Sequence, residues 1–221
     1  MLQNPLADSA QGFLRDWLEY YDGALKTAGM NLYILVDPAS KRKVGSDYTV
    51  MAVIGLGADR NYYLVDLVRD RLNLTARGET LFGLMAKYPQ AIRVGYEEYG
   101  LQADIEFIRY LQNERNNRFS IVPLGGPMPK PDRIRRLVPV CEQGRFWLPR
   151  RLLYVDWEKR VHDLVADFFC DEYEAFPVSL HDDMLDAISR VLDPDLRATW
   201  PAADKVERSG VLTNGPSMTA S

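Results

Sequence analysis

The spacing of hydrophobic positions changes near residue 31. Residues 1–30 carry an amphipathic stripe at helical spacing, which predicts a helical arm or linker. Residues 32–36 then form a continuous apolar run, typical of a strand buried on both faces. Residues 48–55 and 62–68 are rich in strand formers and are separated by a turn, so the three runs predict an antiparallel meander.

The pattern next alternates between helix and strand. Helices are predicted over 79–88 and 101–115, and strands over 91–96 and 119–124. Helices between consecutive strands imply that these strands pair in parallel. The predicted fold class is therefore α/β, with a mixed five-stranded sheet, an antiparallel meander followed by parallel βα strands, flanked by helices.

Three further helices are predicted towards the end of the chain, over 131–137, 157–169 and 182–192. Beyond residue 194 the composition turns to Pro, Ser, Thr and Gly with few apolar residues. Such composition cannot bury a core, so residues 198–221 are expected to be a disordered tail, and residues 31–197 one domain.

Composition excludes several classes of protein. Hydrophobic residues make up 47% of the 221, but no apolar run reaches the length of a membrane span, and the N-terminus lacks the features of a signal peptide. Cys141 and Cys170 are far apart without CxxC spacing, which indicates neither a zinc site nor a disulfide framework. These features favour a cytoplasmic protein.

Charge is unevenly distributed along the chain. The net charge is −4, so the chain as a whole does not attract nucleic acid by being basic. Residues 130–151 are nevertheless basic, whereas acid is concentrated in residues 156–186. A basic segment near an acidic site suits a metal-dependent enzyme that acts on a polyanion, and an ordinary solvated surface explains the charges about as well.

Carboxylates follow two predicted strands and open the last helix. Asp37 ends the first strand, Glu97 ends the fourth, and Asp182, Asp183 and Asp186 lie at helical spacing on one side of the last helix. Strand ends at the carboxyl edge of an α/β sheet usually carry the site. Converging carboxylates without His or Cys form a hard oxygen site that suits Mg²⁺ or Mn²⁺, and two such ions serve phosphodiester cleavage.

Each carboxylate also has a structural explanation. Asp37 and Glu97 could simply terminate strands, and acids at the start of a helix are favoured by its dipole. A capping role explains Asp182 and Asp183 but leaves Asp186 unexplained. His181 could orient a water or contact phosphate, or could be an ordinary surface histidine.

The order strand–Asp, hairpin, strand–Glu, helix, strand, basic loop, helix–Asp resembles the ribonuclease H-like superfamily. It is most similar to the C-terminal nuclease domain of tailed-bacteriophage terminase large subunits. The resemblance covers about residues 30–192 and rests on the order and spacing of four motifs: ILVDPA at 34–39, GSDYTV at 45–50, VGYEEYG at 94–100 and HDDMLDA at 181–187.

The resemblance implies roles for particular residues. Asp37, Glu97 and Asp183 would be catalytic metal ligands, with Asp182 and Asp186 as further ligands of two Mg²⁺ or Mn²⁺ ions. Three residues would support the site and three would contact DNA. The supporting set is Glu98 (the alternative to Glu97), Asp47 and His181, and the DNA-contacting set is Lys130, Arg133 and Arg136.

The resemblance further implies a metal-dependent endonuclease that cleaves double-stranded DNA during viral genome packaging, in the cytoplasm of the infected bacterial host. Expected partners are a packaging ATPase domain, the portal and the small terminase subunit. No GxxxxGK[ST] motif occurs in the chain, so ATP hydrolysis is not expected of it. Two other functions remain open: a different ribonuclease H-like nuclease, such as a resolvase or an RNA–DNA hybrid nuclease, and a non-catalytic DNA-docking module.

Overall fold

A mixed β-sheet forms the centre of the molecule. The computed structural model describes residues 12–39, 48–98 and 102–202. The strands in these residues are β1 Glu19–Tyr21, β2 Asn31–Asp37, β3 Thr49–Leu56, β4 Tyr62–Asp70, β5 Ala91–Glu97, β6 Ile121–Leu124, β7 Phe146–Pro149, β8 Leu153–Val155 and β9 Val161–Asp163. The helices are α1 Leu74–Lys87, α2 Gln102–Glu114, α3 Lys130–Arg135, α4 Val138–Glu142, α5 Leu164–Asp167 and α6 Asp183–Ser189.

The main sheet has seven strands in the order β1-β7-β4-β3-β2-β5-β6. The five predicted strands lie next to one another in it, antiparallel from β4 to β2 and parallel from β2 to β6. The α/β class and the mixed sheet are therefore confirmed, whereas the predicted count of five strands is too low. The additional strands β1 and β7 have three and four residues, too few to show a period in the sequence.

The two faces of the sheet are covered by different helices. Tyr33 and Leu35 of β2 pack into a core shared with α6, while Leu32, Ile34 and Val36 pack into a second core with α1 and α2. This alternation is the period of two expected of a strand that is buried on both sides. The sheet and the helices on its two faces thus form three layers. The functional site is expected at the carboxyl edge of the sheet.

Gly95 of β5 lets the first core close tightly over the sheet. A Cβ atom added there would lie 2.6 Å from Leu124 Cδ1 and 3.1 Å from Leu196 Cδ1. Both leucines are fully buried, so they have little room to move. Glycine at this position therefore allows the strand that ends in Glu97 to lie close against its neighbours.

The predicted helical arm at 1–30 is not a helix where it is described. Arg15–Trp17 forms one 3₁₀ turn, and β1 then pairs in parallel with β7. Tyr21 also donates a hydrogen bond from its hydroxyl to the carbonyl of Leu64, at 2.7 Å. Pairing with a distant strand therefore overrides the local helical spacing. Residues 1–11 lie outside the described residues.

The predicted helix over 157–169 is also wrong in its first half. Strands β8 and β9 form a hairpin there, and the Asp156 carboxylate accepts a hydrogen bond from the Arg160 backbone N at 2.8 Å, which holds the turn. Lys159 adopts a left-handed backbone conformation, with φ +66, which the sequence pattern does not predict. Helical structure begins only at Leu164, where the Asp163 side chain caps α5, and it continues as a π-helical turn over Phe168–Tyr173.

Three element boundaries also differ from the prediction. Helix α1 begins at Leu74 rather than 79, because Asn73 Oδ1 accepts a hydrogen bond from the Ala76 backbone N at 2.8 Å. The helix predicted over 131–137 is α3, which ends at Arg135, and the helix α4 that follows it was not predicted. The last helix is α6 followed by a 3₁₀ turn, Arg190–Leu192.

The beginning of the predicted tail packs on the sheet. The Thr199 backbone N donates to the Tyr33 hydroxyl at 2.9 Å, and the Trp200 ring lies 4.8 Å from that of Tyr62. Contacts with the sheet therefore continue beyond the predicted boundary at 198, and residues 203–221 lie outside the described residues. Within the described ranges, no helix has the length and apolar character needed to span a membrane.

Candidate metal centre

Two adjacent parallel strands end with carboxylates at the same edge of the sheet. Asp37 is the last residue of β2 and Glu97 the last of β5, and the preceding residues Val36 and Tyr96 are register partners. Neighbouring strands lie about 4.8 Å apart, so the backbone positions of Asp37 and Glu97 are close together. Asp37, Glu97 and Asp186 each offer an oxygen within 4.8 Å of the others.

Helix α6 brings the third carboxylate to this edge. Its buried apolar residues pack in the first core against β2 and β3; they are Met184, Leu185, Ala187 and Ile188. Asp183 and Asp186 are three residues apart and line one cavity with Asp37 and Glu97. Asp182 occupies the N-cap position, but its side chain makes no capping hydrogen bond. Capping alone therefore does not explain the acidic cluster.

A cavity of about 680 Å³ lies above these carboxylates. Its wall includes Tyr48 on one side and the loop 126–129 on the other. Its volume is within the range of small-molecule and cofactor sites in proteins.

Helix α3 and the turn after α6 supply cations to the acidic cluster. Lys130 Nζ lies 2.8 Å from Asp182 Oδ1, 3.0 Å from Asp183 Oδ1 and 3.8 Å from Asp186 Oδ2. Burial favours a neutral amine at Lys130, but the nearby Asp37, Asp183 and Asp186 carboxylates outweigh it and raise the pKa of Lys130. Lys130 is therefore charged, and it reduces the repulsion among the carboxylates.

Two buried arginines hold the innermost carboxylates in place. Arg133 donates from Nε and Nη2 to the two oxygens of Asp186, at 2.6 and 2.5 Å, and lies 3.7 Å from Glu97 Oε1. Arg190 donates to Glu97 and to Asp193. Arg133 and Arg190 are 4% and 2% exposed, so these are buried ion pairs that fix the carboxylate orientations.

Asp37 lacks such a partner among these cations. Burial, together with the charge of the adjacent Glu97, raises the pKa of Asp37 well above its usual range, and Lys130 opposes this only in part. A carboxylate in this position gains from a further cation nearby. The negative charge of an ionised Asp37 is therefore not fully balanced by the cations of the site.

The remaining residues predicted for the site are placed differently. Glu98 is exposed, and its backbone N donates a hydrogen bond to Leu124 O at 2.9 Å. His181 lies edge-on to the Tyr48 ring, with 6.1 Å between centroids. Arg136 donates to the carbonyl of Leu192 at 3.1 Å. Asp47 lies outside the described residues.

Arg190, Tyr48 and Glu172 were not among the residues predicted for the site. Arg190 is four residues after Asp186, so helical spacing could have indicated it. Glu172 is fully buried on the π-helical turn, and its Oε2 accepts a hydrogen bond from the Leu185 backbone N at 2.9 Å. Nothing in the local sequence indicates this contact, which positions the first turn of α6.

Glu172→Gln is expected to reduce the dependence of stability on pH. Burial raises the pKa of Glu172 from 4.5 to about 7, against the hydrogen bond from Leu185. The native state therefore binds this proton more tightly than the unfolded state. The resulting stability is fully present below pH 4.5 and is lost as the pH rises through about 7. The loss is about 3 kcal/mol for a shift of this size.

Glutamine resembles the protonated acid and has no such loss. Urea unfolding without metal, below pH 4.5 and above pH 7, measures the free energy of unfolding of wild type and variant. If the free energy of unfolding changed equally with pH in both proteins, the role given to Glu172 would be contradicted.

Comparison with solved structures identifies viral terminase nuclease domains as similar in fold. The human cytomegalovirus terminase nuclease domain, Mn-soaked and inhibitor-bound, matches with a TM-score of 0.55 and 11% identity, covering 78% of this chain and 88% of that one. Another structure of the same domain gives a TM-score of 0.53 and 14% identity, covering 76% and 85%. The large terminase nuclease from thermophilic phage G20c with bound zinc gives 0.50 and 17%, covering 79% and 92%.

These likenesses establish the fold that the sequence resemblance implied. At 11–17% identity they do not by themselves establish an activity for this chain. Comparison with protein-family models gives no match, and neither does comparison with curated protein sequences.

Proposed function

We propose that this protein is a metal-dependent endonuclease that hydrolyses phosphodiester bonds of double-stranded DNA. The observation that carries the proposal is the convergence of Asp37, Glu97 and Asp186 within 4.8 Å, beside Asp183, in one open cavity. The fold shared with viral terminase nuclease domains supports it, and so does the manganese soaked into one of those domains.

The donor set fits Mg²⁺ or Mn²⁺. All four carboxylates that line the cavity are hard oxygen donors, and no histidine or cysteine lines it among the described residues. When bound, such ions activate a water and stabilise the leaving oxygen of a phosphodiester.

The chain's own residues position the donors. Arg133 and Arg190 orient Asp186 and Glu97, and each carboxylate keeps lone pairs for a further partner. Asp182 does not line the cavity, and its carboxylate pairs with Lys130, so we assign it a supporting role. Lys130 lowers the negative potential of the pocket, which favours the approach of a phosphodiester.

We further propose that this cleavage serves viral genome packaging in the cytoplasm of the infected bacterium. A packaging ATPase domain, the portal and the small terminase subunit would then be its partners. The resemblance of the sequence to phage terminases and the shared fold support this assignment.

A plasmid assay tests the activity. Supercoiled plasmid incubated with the protein is expected to become nicked and linear with Mn²⁺ or Mg²⁺, and to remain intact with EDTA. An RNA–DNA hybrid and a four-way junction are tested in parallel. Preference for either over duplex DNA would favour a different ribonuclease H-like nuclease, and absence of cleavage on all three substrates would contradict the proposed activity.

A further inference from the structure

Lys130 is more exposed than the two arginines that contact the acids. It is the first residue of α3, and its side chain is 32% exposed, whereas those of Arg133 and Arg190 are buried. Lysine carries a compact charge at the end of a flexible stem, while a buried guanidinium is fixed by its planar fork of donors. The charge of Lys130 is therefore the one that can move without disturbing the core.

The ammonium of Lys130 contacts oxygens that a metal ion would use. Asp183 and Asp186 line the cavity, and Lys130 Nζ lies 3.0 Å from Asp183 Oδ1 and 3.8 Å from Asp186 Oδ2. A divalent ion bound to the same Asp183 oxygen would lie a few ångströms from the ammonium. Like charges this close repel, so Lys130 and the ion compete for Asp183.

Asp182 gives a displaced ammonium another partner. Its Oδ1 lies 2.8 Å from Lys130 Nζ, closer than the oxygens of Asp183 and Asp186, yet Asp182 does not line the cavity. Its side chain makes no capping hydrogen bond at the N-cap of α6, so capping does not account for the acid. Lys130 can therefore leave Asp183 and keep its contact with Asp182.

The two arginines have a different role at the site. Arg133 donates to both oxygens of Asp186, at 2.6 and 2.5 Å, and Arg190 donates to Glu97 and Asp193. These buried pairs orient carboxylates and stay in place when another cation arrives.

We propose that Lys130 is a built-in substitute for one metal ion. In the metal-free protein its ammonium neutralises Asp183 and Asp186, and an ion that binds Asp183 displaces it towards Asp182. This inference rests on the proposed nuclease function and adds to it a competition between the chain and its metal. The competition holds the acids together before metal binds, and it lowers the affinity for the ion that contacts Asp183.

Calorimetric titration with Mn²⁺, without DNA, measures the competition. Lys130→Met removes the charge but keeps an unbranched side chain, and is expected to tighten Mn²⁺ binding by about tenfold or more. Lys87→Met is the matched control, because Lys87 pairs with Asp66 at 2.7 Å on α1, which covers the other face of the sheet. Its substitution is expected to leave the affinity for Mn²⁺ unchanged.

A double-mutant cycle separates displacement from a general effect of charge. Asp182→Asn removes the second partner of Lys130, so the ammonium stays at Asp183 and Mn²⁺ binding should weaken. In the Lys130→Met background the same substitution should have a severalfold smaller effect on the affinity. Equal effects of Asp182→Asn in the two backgrounds would mean that Lys130 acts by charge without moving, and would overturn the inference.

Crystals of the wild-type protein test the movement without any substitution. In EDTA, Lys130 Nζ is expected within hydrogen-bond distance of both Asp182 and Asp183. After a Mn²⁺ soak, it is expected to contact Asp182 alone. An ammonium that still contacts Asp183 beside a bound ion would overturn the inference.

The outcomes separate this inference from the proposed function. Tighter Mn²⁺ binding by Lys130→Met, coupled to Asp182, would support the inference even if wild type cleaves no DNA, and that result would count against the nuclease function alone. If wild type cleaves plasmid but Lys130→Met binds Mn²⁺ as wild type does, the inference is overturned and the function stands. Absence of Mn²⁺ binding in both proteins would overturn the inference as well.

Discussion

Asp37→Asn is expected to reduce Mn²⁺-dependent plasmid cleavage by about a thousandfold or more. Asparagine has nearly the same shape, but it removes one negative charge from the set formed with Glu97 and Asp186. Metal ions in such sites contribute several kcal/mol of transition-state stabilisation. A loss of about 4 kcal/mol corresponds to a thousandfold in rate.

The same substitution is expected to leave the metal-free protein as stable as wild type or more so. The raised pKa of Asp37 shows that its charge is unfavourable in the folded protein. Added Mn²⁺ should raise the unfolding midpoint of wild type and have little effect on that of the variant. Asp22→Asn, the same change at an exposed carboxylate, is the control. Cleavage by Asp37→Asn at the rate of the control would refute the assignment.

Arg133→Met is expected to lower the free energy of unfolding of the metal-free protein by about 3–5 kcal/mol. The Asp186 carboxylate is 2% exposed and receives two hydrogen bonds from Arg133, and Glu97 lies 3.7 Å from the same guanidinium. Removing one partner of a buried ion pair leaves an uncompensated buried charge, which strongly destabilises the folded protein. Urea unfolding in EDTA measures the change.

Arg135→Met is the matched control for this prediction. Arg135 is on the same helix, but its ion pair with Asp132 is exposed at the surface, so its loss should cost less than about 1 kcal/mol. Saturating Mn²⁺ should restore part of the stability of Arg133→Met, because the bound ion replaces the missing positive charge. Equal effects of the two substitutions would show that Arg133 is not needed to hold the acids.

The strands that carry Asp37 and Glu97 could be predicted because their sequence signals are local. A continuous apolar run ends at Asp37, and the run that ends at Glu97 lies between two helices, so both the strands and their shared edge follow from pattern rules. The β8–β9 hairpin could not be predicted, since it depends on a left-handed Lys159 and on side-chain bonds made by Asp156. Strand β1 depends on pairing with residues more than 120 positions away.

The composition of the site could be predicted more easily than its internal arrangement. Helical spacing predicted Asp182, Asp183 and Asp186 on one side of a helix, and the resemblance implied Asp183 as the preferred ligand. The structure brings Asp186 nearest to Asp37 and Glu97, and Asp183 lines the same cavity. Which acid an arginine holds depends on how α3 packs against α6, and that contact is not visible in the sequence. For the same reason Lys130 and Arg133 were predicted to contact DNA, and their ion pairs with the acids were not predicted.

The anomalous difference map of a Mn²⁺-soaked crystal tests the central assignment most directly. We expect density for manganese in the cavity, in contact with carboxylate oxygens of Asp37 and Glu97 and of Asp183 or Asp186. No peak in the cavity at saturating Mn²⁺, or a metal bound without Asp37 and Glu97, would contradict it.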